Sequence, residues 1–397
     1  MKITCIGFCI LLLAACGQSQ KPGSDTQDLK LFQDNQGRYG LKDNSGKVVL
    51  QAEDPWGNGS LGEYSEGLAE LSINGKSGFV DTSGKVVIPM DYSLAGNFQD
   101  GLAMVRLDGK RGYIDRTGKW VIEPVYGFTN GFSEGLARVA IDNKWGFIDR
   151  TGKRVVELVH DFAGDFSEGL ALVKSGDTYG YIDKTGKLAT PWEPYDAAET
   201  FSEGMALVSL DGRSGYIDRT GKMVVEPLYD FAGAFNEGLA AVEVNGRSGF
   251  IDKTGRVVIP LMYEDAGGFY EGKATVSLDG KWGIIDPAGK ELLPLKYEDV
   301  GSFSEGLIAV KQDGKWGYMD EKGEERIPFQ YDFADDFSEG MAAVKRNEKY
   351  GYINSSGKLL IPFKYEHAGP FEKGKARVTL GKRTFDIDRN GREINAE

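Results

Sequence analysis

A chain of 397 residues with 41% apolar content is long enough for two or three ordinary domains. Its formal charge of −13 excludes nucleic acid as a natural partner, because phosphate binding needs a basic surface. Three cysteines, Cys5, Cys9 and Cys16, supply no disulfide framework.

Lys2 precedes an uncharged run from Ile3 to Ala15 that contains Leu11-Leu12-Leu13. Its 13 residues reach roughly 20 Å as a helix, short of a bilayer core of about 30 Å, so residues 1–15 read as a secretory signal peptide. Leu13-Ala14-Ala15-Cys16 resembles the lipobox of bacterial lipoproteins. The resemblance implies cleavage before Cys16, lipidation of that cysteine, and membrane anchoring in the cell envelope: outer membrane, periplasmic or surface-exposed. Cys5 and Cys9 leave with the leader, so thiol metal sites and internal disulfides go with them. Losing Lys2 takes the charge from −13 to about −14; such an acidic body is repelled by anionic head groups and suits a protein held by its lipid. Residues 16–30 read as the lipidated cysteine and a flexible tether, polar and without periodicity, with a reach on the order of 20 Å.

Residues 31–397 are organised by two interleaved repeats. The glycine of an aromatic-x-Glu-Gly motif returns at Gly67, Gly101, Gly135, Gly169, Gly204, Gly238, Gly272, Gly306, Gly340 and Gly374, at a spacing of 34 with one interval of 35. An aromatic-Ile-Asp-x-Thr-Gly-Lys motif keeps the same period, its aspartate at Asp115, Asp149, Asp183, Asp218 and Asp252 among others, with Asn354 in one slot. Within a unit, Ala137, Val139 and Ile141 alternate with Arg138 and Ala140, the pattern of a half-buried strand. Asp-Asn-Lys or Asp-Gly-Lys then makes a hairpin turn into a second strand. Asp-x-Thr-Gly makes another turn into a third strand, which Pro260 and its equivalents are expected to end. Each unit is thus a three-stranded antiparallel meander plus a connector such as Tyr229 to Gly238, and no segment reads as a long helix.

A 34-residue unit is below the roughly 40 residues that fold unaided, so about eleven of them must cover one another's apolar faces. The expected fold is all-β, an open β-solenoid or superhelix; the alternative is a β-propeller, whose blades have four strands. The recurring connector Tyr and Phe are expected to be core. The end units depart from the pattern as caps: the last places Phe385 in the invariant glycine slot and Asp386 in the aromatic slot. The one extra residue falls within Leu188 to Tyr195, where Pro191 and Pro194 bracket Trp192 and predict a bulge or kink.

Lys144-Trp145-Gly146, Lys281-Trp282-Gly283 and Lys315-Trp316-Gly317, each followed by two apolar residues and Asp, resemble the signature of bacterial WG-repeat (KWG-repeat) proteins over about residues 36–397. Several units carry Ser77, Arg111, Tyr179, Ser214, Ser248 or Tyr350 in place of the tryptophan. The resemblance implies a β-rich repeat on an exported protein, with no catalytic residue to transfer. A looser similarity links the Asp-Gly-Lys-Trp-Gly runs to cell-wall-binding repeats that use aromatics for sugars or choline.

Catalysis needs a constellation unlike its surroundings, and here nearly every polar residue is one of about ten copies. No catalytic, cofactor or metal site is therefore expected, and the protein reads as a non-enzyme. His160 and His367 occupy aromatic slots and read as packing residues. The repeated aspartate supplies one carboxylate per turn, which suits turn capping better than calcium. The Phe-Ser-Glu-Gly glutamates are expected to be neutralised by the Lys or Arg after the turn glycine, such as Lys153, Lys222 or Lys290. The side of the first strand opposite the core slots differs from unit to unit, and its Met104, Arg138, Leu172 and Leu207 form a candidate binding strip. The leading expectation is a lipid-anchored, non-catalytic scaffold for another protein of the cell envelope. The alternative is a cell-wall or glycan binder stacking sugars on Trp145, Trp282 and Trp316.

Overall fold

Glycine-containing turns set each unit. Asp142 and Asn143 both take left-handed backbone (φ 49° and 60°) between the strands Leu136–Ile141 and Lys144–Asp149, and Glu134-Gly135 (φ 50° and 88°) does the same before the first of them. Paired positive φ values give turns whose twist matches that of the flanking strands, so the chain folds back at once. The computed structural model describes residues 29–33, 39–43, 46–51, 59–372 and 374–394. Cys16, the leader and the tether up to residue 28 lie outside them.

The described chain is all-β: forty-one strands form eleven antiparallel sheets in sequence order, with no helix among the described residues. Eight of the sheets have four strands, not three. The extra strand comes from the connector, as where Phe128–Thr129 pairs with Leu136–Ile141. Sheet by sheet this is the propeller alternative, eleven blades in succession, in place of an open solenoid of three-stranded units.

The proline does not end the third strand. Pro260 sits inside the seven-residue edge strand Val257–Tyr263, where three residues of the neighbouring strand (Ser248 to Phe250) face five of this one (Ile259 to Tyr263). A bulge at an edge leaves a backbone position that needs no amide, which is where proline is tolerated. The bulged carbonyls turn inward onto the glycine opposite: a Cβ on Gly249 would lie 2.6 Å from the Ile259 oxygen. That contact is why the Trp-Gly glycine repeats. In the fifth unit, where the prolines predict a bulge or kink, the insertion goes further and replaces this strand; Leu188 and Glu193 make only isolated bridges, and side chains of Leu188 and Trp192 cover Gly180 instead of backbone. The last sheet has no such edge strand, and Phe385 fits in the glycine slot there, packing edge-on against Tyr365.

The hairpin strands are buried on both faces. Ala137, Val139 and Ile148 pack against Tyr113, Ile122 and Tyr126 of the preceding unit, whereas Leu136, Phe147 and Val156 pack against Ala163, Phe166 and Val173 of the next. The aromatic of each second hairpin strand meets the connector phenylalanine of the following unit, as in Phe147–Phe166 (ring centroids 4.7 Å apart) and Tyr216–Phe235 (4.8 Å). Where that aromatic is tyrosine its hydroxyl also donates to a connector carbonyl, Tyr318 to Asp335 at 2.7 Å and Tyr352 to Gly369 at 2.8 Å. Of the connector aromatics, the tyrosine and the second phenylalanine are core, as Tyr229 and Phe235 show, whereas the first phenylalanine is not: Phe162, Phe231 and Phe333 are exposed.

Candidate functional site

The repeated polar residues hold the array together. Asp149 Oδ1 accepts from the Thr151 amide (2.9 Å), the Thr151 hydroxyl (2.6 Å) and the Lys153 amide (3.1 Å). The same set recurs at Asp115, Asp183, Asp218 and Asp252, and hydrogen bonding to the ionised form holds these carboxyls below their usual range, Asp252 at about 2. Asn354 makes the same three contacts without a charge. A folded pKa below the unfolded one stabilises fully above about pH 4 and loses that contribution as pH falls toward 2. The melting temperature should therefore drop between pH 4 and 2, and Asp252→Asn, keeping the turn, should make that drop shallower. A variant melting in parallel with the parent through this window would contradict the assignment.

The glutamates also cap, with partners other than those expected. Glu168 sits at φ 52°, and its carboxylate accepts from the Gly204 amide of the next unit at 2.9 Å and from Arg219 at 3.3 Å. Glu203 takes Gly238 and Lys253 in the same way, and Glu134 takes Gly169 and Lys184. The cation is thus the residue after the turn aspartate, not Lys153, Lys222 or Lys290 after the glycine. The units are staggered so that each turn reaches the glutamate one and a half repeats before it. The serine of Phe-Ser-Glu-Gly, unassigned from sequence, adds a third link: Ser167 donates to the Phe201 carbonyl at 3.0 Å and Ser202 to that of Phe235 at 2.8 Å. Its 34-residue recurrence was the available signal. Glu168→Ala should lose about 1 kcal/mol in urea unfolding, the scale of one hydrogen bond to a charged group at a partly exposed site; no measurable loss would remove this ladder from the account.

The proposed strip does not face solvent. Leu172 is only 5% exposed, in a cluster with Tyr181 and Phe201, and Leu207 packs against the Met205 and Phe235 cluster. Arg138 pairs with Asp165 of the next unit at 3.0 Å, donates to the Ala163 carbonyl, and lies over Phe128 and Trp145. Met104 lines a cavity of about 410 Å³ with Phe98, Asn97, Gln99, Tyr113 and Phe132. The row differs between units because each residue fits the connector of its neighbour, so its variability reports packing.

The three tryptophans also sit among neighbours. Trp316 is buried and 5.9 Å from Phe333, Trp145 lies between Phe128 (4.9 Å) and Phe162 (6.0 Å), and Trp282 is half-buried. Trp316, buried beside Phe333, and Trp145, flanked by two rings, are engaged in packing. His160 is buried in its tyrosine slot, 6.1 Å from Trp192, and burial lowers its pKa. His367 is exposed and stacks on Tyr350.

What the packing leaves over lies on the long edge strands and connectors. Val125, Val159, Leu228 and Met262 occupy one repeated slot, directly before the edge-strand aromatic, and are 49%, 59%, 64% and 45% exposed. Phe162 and Phe231, two residues after that aromatic, are 39% and 60% exposed. Phe231 stands open because Ser214 and Ser248 replace the tryptophans that cover other connectors. These residues form a row of exposed apolar side chains running over the third to seventh units, of which Phe162 also meets Trp145.

Among solved structures, the fold is similar to a eukaryotic initiation factor (12% identity, 75% of this chain and 95% of the other, TM-score 0.42). It is also similar to the extracellular domain of a putative one-component system from B. thetaiotaomicron (10%, 95% and 72%, TM-score 0.31) and to BamB from Moraxella catarrhalis (14%, 75% and 91%, TM-score 0.33). At these values the likenesses say nothing about function. No curated protein matches the sequence. The model of the WG containing repeat matches nine consecutive stretches, from 78–110 through 145–179 and 249–282 to 350–383. The matched stretches contain the glycines, aromatics and turn residues whose packing roles are described above, and the chain belongs to the family of WG-containing repeat proteins.

Proposed function

We propose that this protein is a lipid-anchored, exported scaffold of the cell envelope that binds another protein and carries out no chemistry of its own. The observation that carries the reading is the exposed row Val125, Val159, Leu228, Met262, Phe162 and Phe231. Single exposed apolar residues are ordinary, but a row of them in repeated slots marks an interaction surface. A succession of repeated blades presents such a row over several units at once, the usual way in which repeat proteins bind. The repeated polar residues are engaged in turns and in links between units, which supports a binding role over a catalytic one. The lipobox-like Leu13 to Cys16 supports the anchor.

Photo-crosslinkers placed at Leu228 and Phe231 in intact cells should capture one discrete protein, while the same probe at Lys222, in a turn, should not. Silence at both apolar sites, or equal labelling from Lys222, would sink the reading. Mass spectrometry of the mature N-terminus should find Cys16 first and carrying acyl chains; an unmodified Cys16 would remove the anchor.

A further inference from the structure

Seven connectors place a carboxylate directly after the edge-strand aromatic: Asp161, Asp196, Asp230, Glu264, Glu298, Asp332 and Glu366. Each accepts a hydrogen bond from a hairpin-turn amide, as Asp161 does from Gly176 at 2.8 Å and Glu366 from Gly381 at 3.0 Å. Four of them also hold the cation that starts the second hairpin strand of the preceding unit: Lys144–Asp161, Arg213–Asp230, Lys315–Asp332 and Lys349–Glu366. The slot between adjacent units is built for a carboxylate.

Two successive connectors omit it. Ser93 and Gly127 occupy the slot in the third and fourth units, and a Cβ at Gly127 would meet only the Ala140 carbonyl, at an ordinary 3.6 Å. The cations remain. Lys76 and Lys110 hold the places of Lys144, and Arg106 and Arg111 face each other across the hairpin. Like charges directly opposite in a sheet are destabilising, and this hairpin is the one in which both members of that cross-strand pair are cationic among those described. Lys76 donates to the Asp91 carbonyl at 3.3 Å, and Arg111 donates to the Thr129 carbonyl at 2.8 Å with its guanidinium 4.7 Å from the Phe128 ring centre. Among the described residues none of the four is paired with a carboxylate. Burial and the Arg106 charge both lower the Arg111 pKa, the sign of cations held together without a counter-ion. Val125, 49% exposed, borders Gly127.

We propose that these two vacant slots are the docking point for acidic side chains of the partner protein, which take the places of the missing aspartates while flanking apolar residues of the same segment lie on Val125 and Phe128. The proposal rests on the scaffold reading and specifies its partner: a short acidic and apolar segment, recognised locally against the repulsion of a body whose net charge is −13.

The test uses the full chain and the peptide acetyl-Phe-Asp-Phe-Glu-amide, with the Asn and Gln peptide as its neutral counterpart, followed by calorimetry and by the amide resonances of Gly127 and Asn143. The acidic peptide should bind at least about tenfold more tightly than the neutral one, the scale of one charge-assisted hydrogen bond. The double variant Ser93→Asp with Gly127→Asp restores the repeat's own carboxylates; it should melt no lower than the parent and bind the acidic peptide at least about tenfold more weakly. Equal binding of the two peptides, no binding of either, an unaffected double variant, or a double variant that melts lower would each overturn the proposal. Crosslinks from Leu228 without a peptide effect leave the scaffold standing and remove the slots, and a peptide effect without crosslinks does the reverse.

Discussion

Replacing Gly215 by alanine is expected to cost roughly 3 kcal/mol in denaturant unfolding, the upper range for forcing a methyl into a packed interior. Its Cβ would lie 2.5 Å from the Val225 oxygen and 2.8 Å from the Pro227 nitrogen, and both are backbone atoms of the bulged edge strand that cannot turn aside. Gly180 holds the same place in the fifth unit, yet its nearest neighbours would be the Leu188 Cδ1 and the Trp192 ring at 3.1 Å, side-chain atoms with room to adjust. Gly180→Ala should therefore cost less than half as much. The pair separates the contact with the bulge from any general preference for glycine in this motif. Equal losses at the two positions would show that the bulge carbonyls are not what selects glycine.

Phe235→Ala is expected to destabilise by about 3–5 kcal/mol, the range for emptying a buried aromatic site. Phe235 is 1% exposed and meets Tyr216, itself fully buried, in a tilted contact at 4.8 Å. The two rings belong to successive sheets, so the loss measures cohesion between units and not the stability of one sheet. Tyr216→Phe removes only the hydroxyl, which donates to the Gly233 carbonyl at 2.5 Å, and should cost about 1 kcal/mol. A Phe235→Ala loss below that of Tyr216→Phe would mean that the rings do not interlock the units.

Much of this architecture was legible because a 34-residue period applied twice leaves little freedom. The turn aspartates, the hairpins and the connector phenylalanines all follow from residue type at fixed offsets. The fourth strand did not, since Phe162–Ala163 is only two residues long and too short to show alternation. The second buried face was hidden for a different reason: Glu70, Met104, Arg138 and Leu172 share no chemistry, and a row without shared chemistry looks like solvent. Arg138 is fitted to Asp165 and Leu172 to Phe201 of the next connector, whereas Glu70 accepts from Ser77 of its own hairpin. The glutamate partners were misread because sequence offsets within a unit are fixed but the stagger between units is not. The proline of the edge strand was read as a stop because nothing local distinguishes a terminated strand from a bulged one.

The central physical claim is that these units hold one another up. The sixth sheet, residues 197–229, contains all four of its strands, yet its buried residues belong to clusters shared with the units on either side. Circular dichroism of a synthetic peptide spanning 197–229, beside the full chain, tests this most directly. The peptide should show no cooperative thermal transition while the full chain melts sharply. A peptide that folds and melts cooperatively by itself would show that the faces between units are not what stabilises this fold.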